Sequence, residues 1–269
     1  MEVPCGRCLG CLLARGRDWT VRCLHESRFH DFSWFVTLTY SDDQLHQYLS
    51  HPSLNPPDMQ RFFKRLRKAG HKVRYLYCGE YGEQTERPHY HAIIFGLTFT
   101  DLKPYTTRNG NQLYTSAKLE AIWSHGNVVI GALTPETVAY TCGYTVKKLY
   151  GPDATTFYAS RGTYPPYISM SRKPGIGTGF VSDNLEFIAG NDFVYMTPTF
   201  KTKVPRFYDK ILKRKFSRNP LYSTEDPSHR ADKRMHEALK HRDNSTADRL
   251  LVRHAVALAR YHQRPTSHF

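Results

Sequence analysis

Arg87-Pro88-His89-Tyr90-His91-Ala92-Ile93-Ile94-Phe95 is the stretch on which the reading of this chain turns. Two histidines alternate within an apolar run. In a β-strand, residues i and i+2 leave the same face, with Cα atoms roughly 6.5–7 Å apart. His89 and His91 are therefore expected to share one face, within reach of a single metal ion, while Tyr90, Ala92 and Ile94 face a core. Imidazole suits Mn2+, Zn2+ and similar ions, and a divalent ion beside a phosphodiester polarises its oxygens and neutralises charge as the bond breaks. A lone His-x-His in a strand is more often a pair of satisfied histidines, so the neighbours carry the decision.

Working upstream, Val73–Cys78 reads as a strand, followed by the turn-rich Gly79-Glu80-Tyr81-Gly82-Glu83, so that His89–Phe95 closes a hairpin with a long connection. Glu80, in the exit of the first strand, can fold its carboxylate back beside the histidines. A third, oxygen ligand suits Mg2+ or Mn2+ better than histidines alone. Glu83 and Glu86 are the alternatives, as exposed loop carboxylates. Ser33–Tyr40 mixes β-branched and aromatic residues on both faces and predicts a central strand. Asn55-Pro56-Pro57-Asp58 opens a helix whose Met59, Phe62, Phe63 and Leu66 oppose a basic face until Gly70. Downstream, a helix over Ala117–Trp123, a strand over Val128–Leu133 and a helix opened by Thr134-Pro135-Glu136 give a β-α-β-β-α-β-α order. That order predicts an α+β domain, an antiparallel sheet backed by helices, rather than a doubly wound one.

On the last of these helices, Tyr140 and Tyr144 lie one turn apart, about 6 Å along the axis, and Lys147 follows three residues later on the same face. The plain alternative is an aromatic core stripe with a basic helix end. Beside the histidines, the phenols become candidate nucleophiles. A phenol is weak at its free pKa near 10, but a nearby cation lowers the cost of the phenolate, and attack on phosphorus leaves a 5′-phosphotyrosine. Lys147 has the preferred Tyr-x-x-Lys spacing, with Lys148 as the alternative.

Three stretches, Phe35-Val36-Thr37-Leu38-Thr39-Tyr40, His89-Tyr90-His91 and Tyr140-Thr141-Cys142-Gly143-Tyr144-Thr145-Val146-Lys147-Lys148, stand in an order that resembles the replication initiators of Microviridae phages. The gokushovirus branch is the nearest likeness, within the rolling-circle nucleases called HUH endonucleases. The resemblance spans about residues 1–210, including the Cys-rich start and Met170-Ser171-Arg172-Lys173-Pro174-Gly175-Ile176-Gly177. It implies a Rep-like palm with a sheet of about five strands, a metal site completed by a Glu, for which Glu80 is a better match than Glu83, and two tyrosines that alternate in cleavage. It implies an origin-nicking, strand-joining endonuclease that starts rolling-circle replication in the cytoplasm of an infected bacterium. Single-stranded phage DNA and its origin are the expected partners, with the host helicase and polymerase. A transposase or relaxase of the same chemistry is the related alternative. Relatives often carry residues ahead of Met1-Glu2-Val3-Pro4, which leaves open whether the start is complete.

Composition narrows the classes independently. The chain has 269 residues, 40% of them hydrophobic, enough for one good core. Thirty-eight Lys and Arg against 24 Asp and Glu give +14, and 13% of residues are aromatic, the profile of a nucleic-acid partner. A non-catalytic single-strand nucleic-acid-binding protein fits that profile too. No run of 18 apolar residues and no apolar leader core is present, so neither membrane insertion nor secretion is indicated. Among six cysteines, Cys5, Cys8 and Cys11 form a C-x2-C-x2-C cluster that in a reducing compartment favours metal over a disulfide. Cys23 or His25 could complete a structural Zn2+ site, with plain buried or free thiols as the alternative.

By boundaries, residues 1–32 read as a Cys-rich helical segment, with the helix over about 12–30, and 33–215 as the endonuclease domain. Within it, about 150–215 is expected to run as strands and loops. Residues 216–269 form a basic helical tail, Ala231–Lys240 and Ala247–His262, either a DNA clamp or a solvated hairpin.

Overall fold

Helix α1 (Leu9–Ser27) leads into β1 (Ser33–Thr39), whose Trp, Phe, Val and Thr residues suit a strand covered on both faces. The computed structural model describes residues 5–6, 8–45, 52–82, 84–143, 152–216 and 227–263. Contacts divide the chain into two units, Cys23–Ile176 and a second made of Met1–Arg22 with Gly177–Phe269.

In the Cys23–Ile176 unit, β1 is followed by α2 (Asp42–Leu45), α3 (Pro56–Lys68), β2 (Arg74–Tyr81), β3 (Pro88–Phe95), β4 (Lys103–Arg108), β5 (Asn111–Thr115), α4 (Ala117–Trp123), β6 (Val128–Ala132), α5 (Pro135–Gly143), α6 (Pro152–Ser160) and β7 (Tyr167–Met170). The strands pair antiparallel in one sheet of seven, ordered β4-β5-β6-β1-β3-β2-β7. The α+β class is as expected, and the sheet exceeds the expected five or so strands. The β4–β5 hairpin turns at Asn109-Gly110, both with positive φ, as a two-residue turn requires. Strand β4 is largely exposed and carries Lys103 and Pro104, which blunt that edge against further pairing.

Period-two alternation gives the sheet two different faces. On one, Val36, Leu38, Tyr90, Ala92, Ile94, Tyr77, Val128 and Ile130 meet Met59, Phe62, Phe63 and Leu66 of α3 and Leu119 and Trp123 of α4. Pro56 and Pro57 start α3 at positions where a missing N–H costs nothing, and its four apolar residues fall on one stripe. The guanidinium of Arg65 donates to the carbonyls of Ile122 and Trp123, capping α4 from α3. The opposite face presents Phe35, Thr37, His89, His91 and Glu80, and α5 packs over β2 and β3 there. Thr134 and Thr137 exchange backbone-to-hydroxyl hydrogen bonds of 2.9 and 3.2 Å at the start of α5, around Pro135, which sets the helix's entry.

The second unit holds the start of α1, then α7 (Thr178–Asp183), α8 (Leu185–Asn191), β8 (Phe193–Tyr195), β9 (Lys201–Lys203), α9 (Arg206–Phe216), α10 (Pro227–Lys240) and α11 (Ala247–His262). Its core is Val21, Phe180, Val181, Ile188, Val194, Tyr208 and Leu212. The expectation of strands and loops over about 150–215 is corrected here, since that stretch holds four helices, α6 to α9. The tail is helical as read, with a break over Arg242–Ser245. Among the described residues, no helix is long and apolar enough to cross a membrane.

Candidate metal and tyrosine site

The register of β2 on β3 places Glu80 opposite His89 and Cys78 opposite His91. Strand β2 runs on to Tyr81, so Glu80 sits inside the strand rather than in the turn expected to follow it. One carboxylate oxygen, Glu80 Oε1, lies 2.9 Å from His89 Nε2 and 2.8 Å from His91 Nε2. The far nitrogens are held as well. His89 Nδ1 lies 3.0 Å from the Arg87 carbonyl oxygen, and His91 Nδ1 lies 3.0 Å from Thr37 Oγ1 on the neighbouring β1. A carbonyl only accepts, so Nδ1 of His89 carries the proton, and in neutral His89 the Nε2 lone pair then points at the carboxylate.

That arrangement asks for positive charge between the three atoms, supplied by a proton or by a cation. Burial pushes the Glu80 carboxyl up, but the hydrogen bonds and charges of His89 and His91 outweigh it and hold it down at about 2. One ligand atom from each of Glu80, His89 and His91 lies within 4.8 Å of the others, a donor set of two imidazoles and a carboxylate suited to a divalent transition ion or Mg2+. The side chains of Glu80 and His91 are each 3% exposed and that of His89 17%, so a phosphodiester would approach past His89.

Above this face, the half-buried Tyr140 of α5 sets its ring centroid 5.3 Å from that of His91, nearly edge-on. Phe35 stacks on His91 from β1 at 5.3 Å and meets Tyr140 at 6.3 Å. The structure thus brings together His89, His91, Glu80 and Tyr140. Tyr144, Lys147 and Lys148 lie outside the described residues, as does Glu83. Glu86 lies apart in the loop, ion-paired to Arg161 at 2.9 Å. Sequence alone leaves Thr37 and Phe35 without a role at the site. The signal for them is the alternation of β1, which puts Phe35, Thr37 and Thr39 on one face.

The cysteines divide. Cys5, Cys8 and Cys11 gather with sulfurs within 4.8 Å of one another, and the Cys8 N–H donates to Cys5 Sγ at 3.2 Å. Cys23 is fully buried further along α1, twelve residues and about 18 Å of helix beyond Cys11, so it does not join them. His25 is buried near it. Cys78 and Cys142 are buried, as expected of core positions.

An antiparallel α+β sheet bearing a carboxylate and two imidazoles under a tyrosine-bearing helix defines the class. Residues 33–149, which contain every one of those side chains, match the replication-associated protein ORF2 family. The chain is 36% identical over 226 residues to the replication-associated protein ORF2 of Spiroplasma virus 4, covering 80% of this chain and 69% of that one. It is 32% identical to the replication-associated protein VP4 of Bdellovibrio phage phiMH2K, over 78% and 67% of the two chains. Likeness to the replication-associated protein ORF4 of Chlamydia phage 1 is 27%, over 83% and 56%. The chain belongs to the replication-associated protein ORF2 family. No solved structure gives a significant match.

Proposed function

We propose that this chain is an origin-nicking and strand-joining endonuclease that starts rolling-circle copying of a single-stranded phage genome. Family membership and the viral replication-associated relatives support a role in genome replication in an infected host. The observation that carries the chemical reading is the convergence of Glu80, His89 and His91 beside the ring of Tyr140. These three residues would hold Mg2+ or Mn2+, which when bound neutralises charge on the phosphodiester oxygens. The Tyr140 oxygen forms a bond to phosphorus as the P–O3′ bond breaks. The phenol loses its proton to solvent and the departing 3′ oxygen gains one. The resulting 5′-phosphotyrosine keeps the phosphodiester energy, so a free 3′-hydroxyl can reverse the step and close a circle.

In this proposal Tyr144 serves as the alternate nucleophile, and Lys147 neutralises the phosphate or a phenolate. Burial of His91 against Phe35 and Tyr140 keeps its ring from turning. The host helicase and polymerase would unwind and extend from the released 3′ end in the bacterial cytoplasm. Zn2+ at Cys5, Cys8 and Cys11 is a separate structural proposal, without Cys23.

The test is incubation with end-labelled single strands tiling the genome and Mn2+, resolved on a denaturing gel. A nick at one site, lost in His89→Ala and in the Tyr140→Phe, Tyr144→Phe double variant, is expected. Tight binding without any nick would make the chain a single-strand DNA-binding protein instead, tolerant of both tyrosine changes.

A further inference from the structure

Strands β8 and β9 form a two-stranded sheet in which Phe193 faces Lys203, Val194 faces Thr202 and Tyr195 faces Lys201. Alternation sends Val194 into the unit's core, where it is 1% exposed. The other face therefore presents Phe193, Tyr195, Lys201 and Lys203 together. Phe187 of α8, 42% exposed, completes a three-ring cluster. Its centroid lies 5.5 Å from that of Phe193, edge-on, and 6.3 Å from that of Tyr195, at an interplanar angle of 28°. The Lys201 amine sits 4.6 Å from the Phe193 centroid and 5.9 Å from that of Tyr195. Lys203 is exposed beside them.

Aromatic planes on a solvent face, interleaved with cations, match a polyanion that also carries π-faces. The adjoining carboxylate, Asp192, is already ion-paired with Arg230 and Arg234, so it does not cancel the lysines. We infer that this face is a stacking platform for single-stranded DNA, with bases laid on Phe187, Phe193 and Tyr195 and phosphates met by Lys201 and Lys203. A duplex hides its base faces and is a poor fit. The inference takes the nucleic acid from the proposed function, while its test needs no cleavage.

The measurement uses the full chain in EDTA, which silences nicking, with oligo(dT) as probe. Tyr195→Trp gains a reporter on the platform, and its fluorescence, taken as a difference from the wild type, is expected to fall on adding oligo(dT). The Phe187→Ala, Tyr195→Ala double variant is expected to bind oligo(dT) roughly tenfold or more weakly, with unchanged circular dichroism. Alanine at Lys201 and Lys203 should lower the salt dependence of binding. Unchanged affinity in the double variant, no quenching, or equal quenching by a duplex would overturn the platform. A protein that nicks normally in Mn2+ while failing these tests separates this inference from the endonuclease reading.

Discussion

At the scale of single residues, the site rests on what holds the far side of each imidazole. Thr37 is a positioning residue, since it touches His91 Nδ1 and no ligand atom. Thr37→Val is expected to weaken Mn2+ binding about tenfold, within the range for groups that orient a metal ligand, with the fold intact. Glu80→Gln should cost more, and isothermal titration of both variants orders them; equal binding by all three proteins would refute the donor set. The histidine pair is legible in the sequence because period two needs no partner strand. Glu80 is legible as a neighbour but reads as part of a turn, and Thr37 and Phe35 do not stand out at all. Their roles depend on the register of β1 and β2 against β3, which is set by long-range pairing and not by local sequence.

At the scale of elements, two joints are open to quantitative test. Gly126, at φ +151, lies where a Cβ would strike the backbone at Ser41 N and Thr39 O. Gly126→Ala is expected to destabilise by roughly 3 kcal/mol in urea unfolding, because neither contact is a movable side chain. In the other unit, Asp192 joins the end of α8 to Arg230 and Arg234 of α10. Burial raises the Asp192 carboxyl, and hydrogen bonds from Arg234 and Arg230 overcome it and hold it below the usual range. A carboxylate depressed on folding adds stability above its unfolded pKa near 3.9 and loses it as pH falls through the lower folded value. Asp192→Asn should therefore cost about 1–2 kcal/mol at pH 7, discounted for the exposure of Arg234, and little at acid pH. Long periodic elements such as α3, β1 and α11 are readable from their apolar spacing. Helices α7 and α8, with 6 and 7 residues, are too short for a period to show, and tertiary packing makes them. The β4–β5 hairpin has a readable turn in Asn109-Gly110, but the exposed β4 lacks the apolar alternation that marks a strand.

At the scale of the whole molecule, the charge of +14 is legible from composition alone and predicts affinity for single strands that falls about tenfold or more over a modest rise in salt. Anisotropy across a salt series checks it, and a flat response would mean that phosphates contribute little. Charge does not distinguish a binder from a nuclease; the chemistry of one phenol does. The most direct test is mass spectrometry of peptides recovered after reaction with a genome-derived single strand in Mn2+. The account predicts a nucleotide adduct joined through phosphate to Tyr140 or Tyr144 and missing from His89→Ala protein; an adduct on another residue, or release of all DNA by denaturation without a covalent trace, would contradict it.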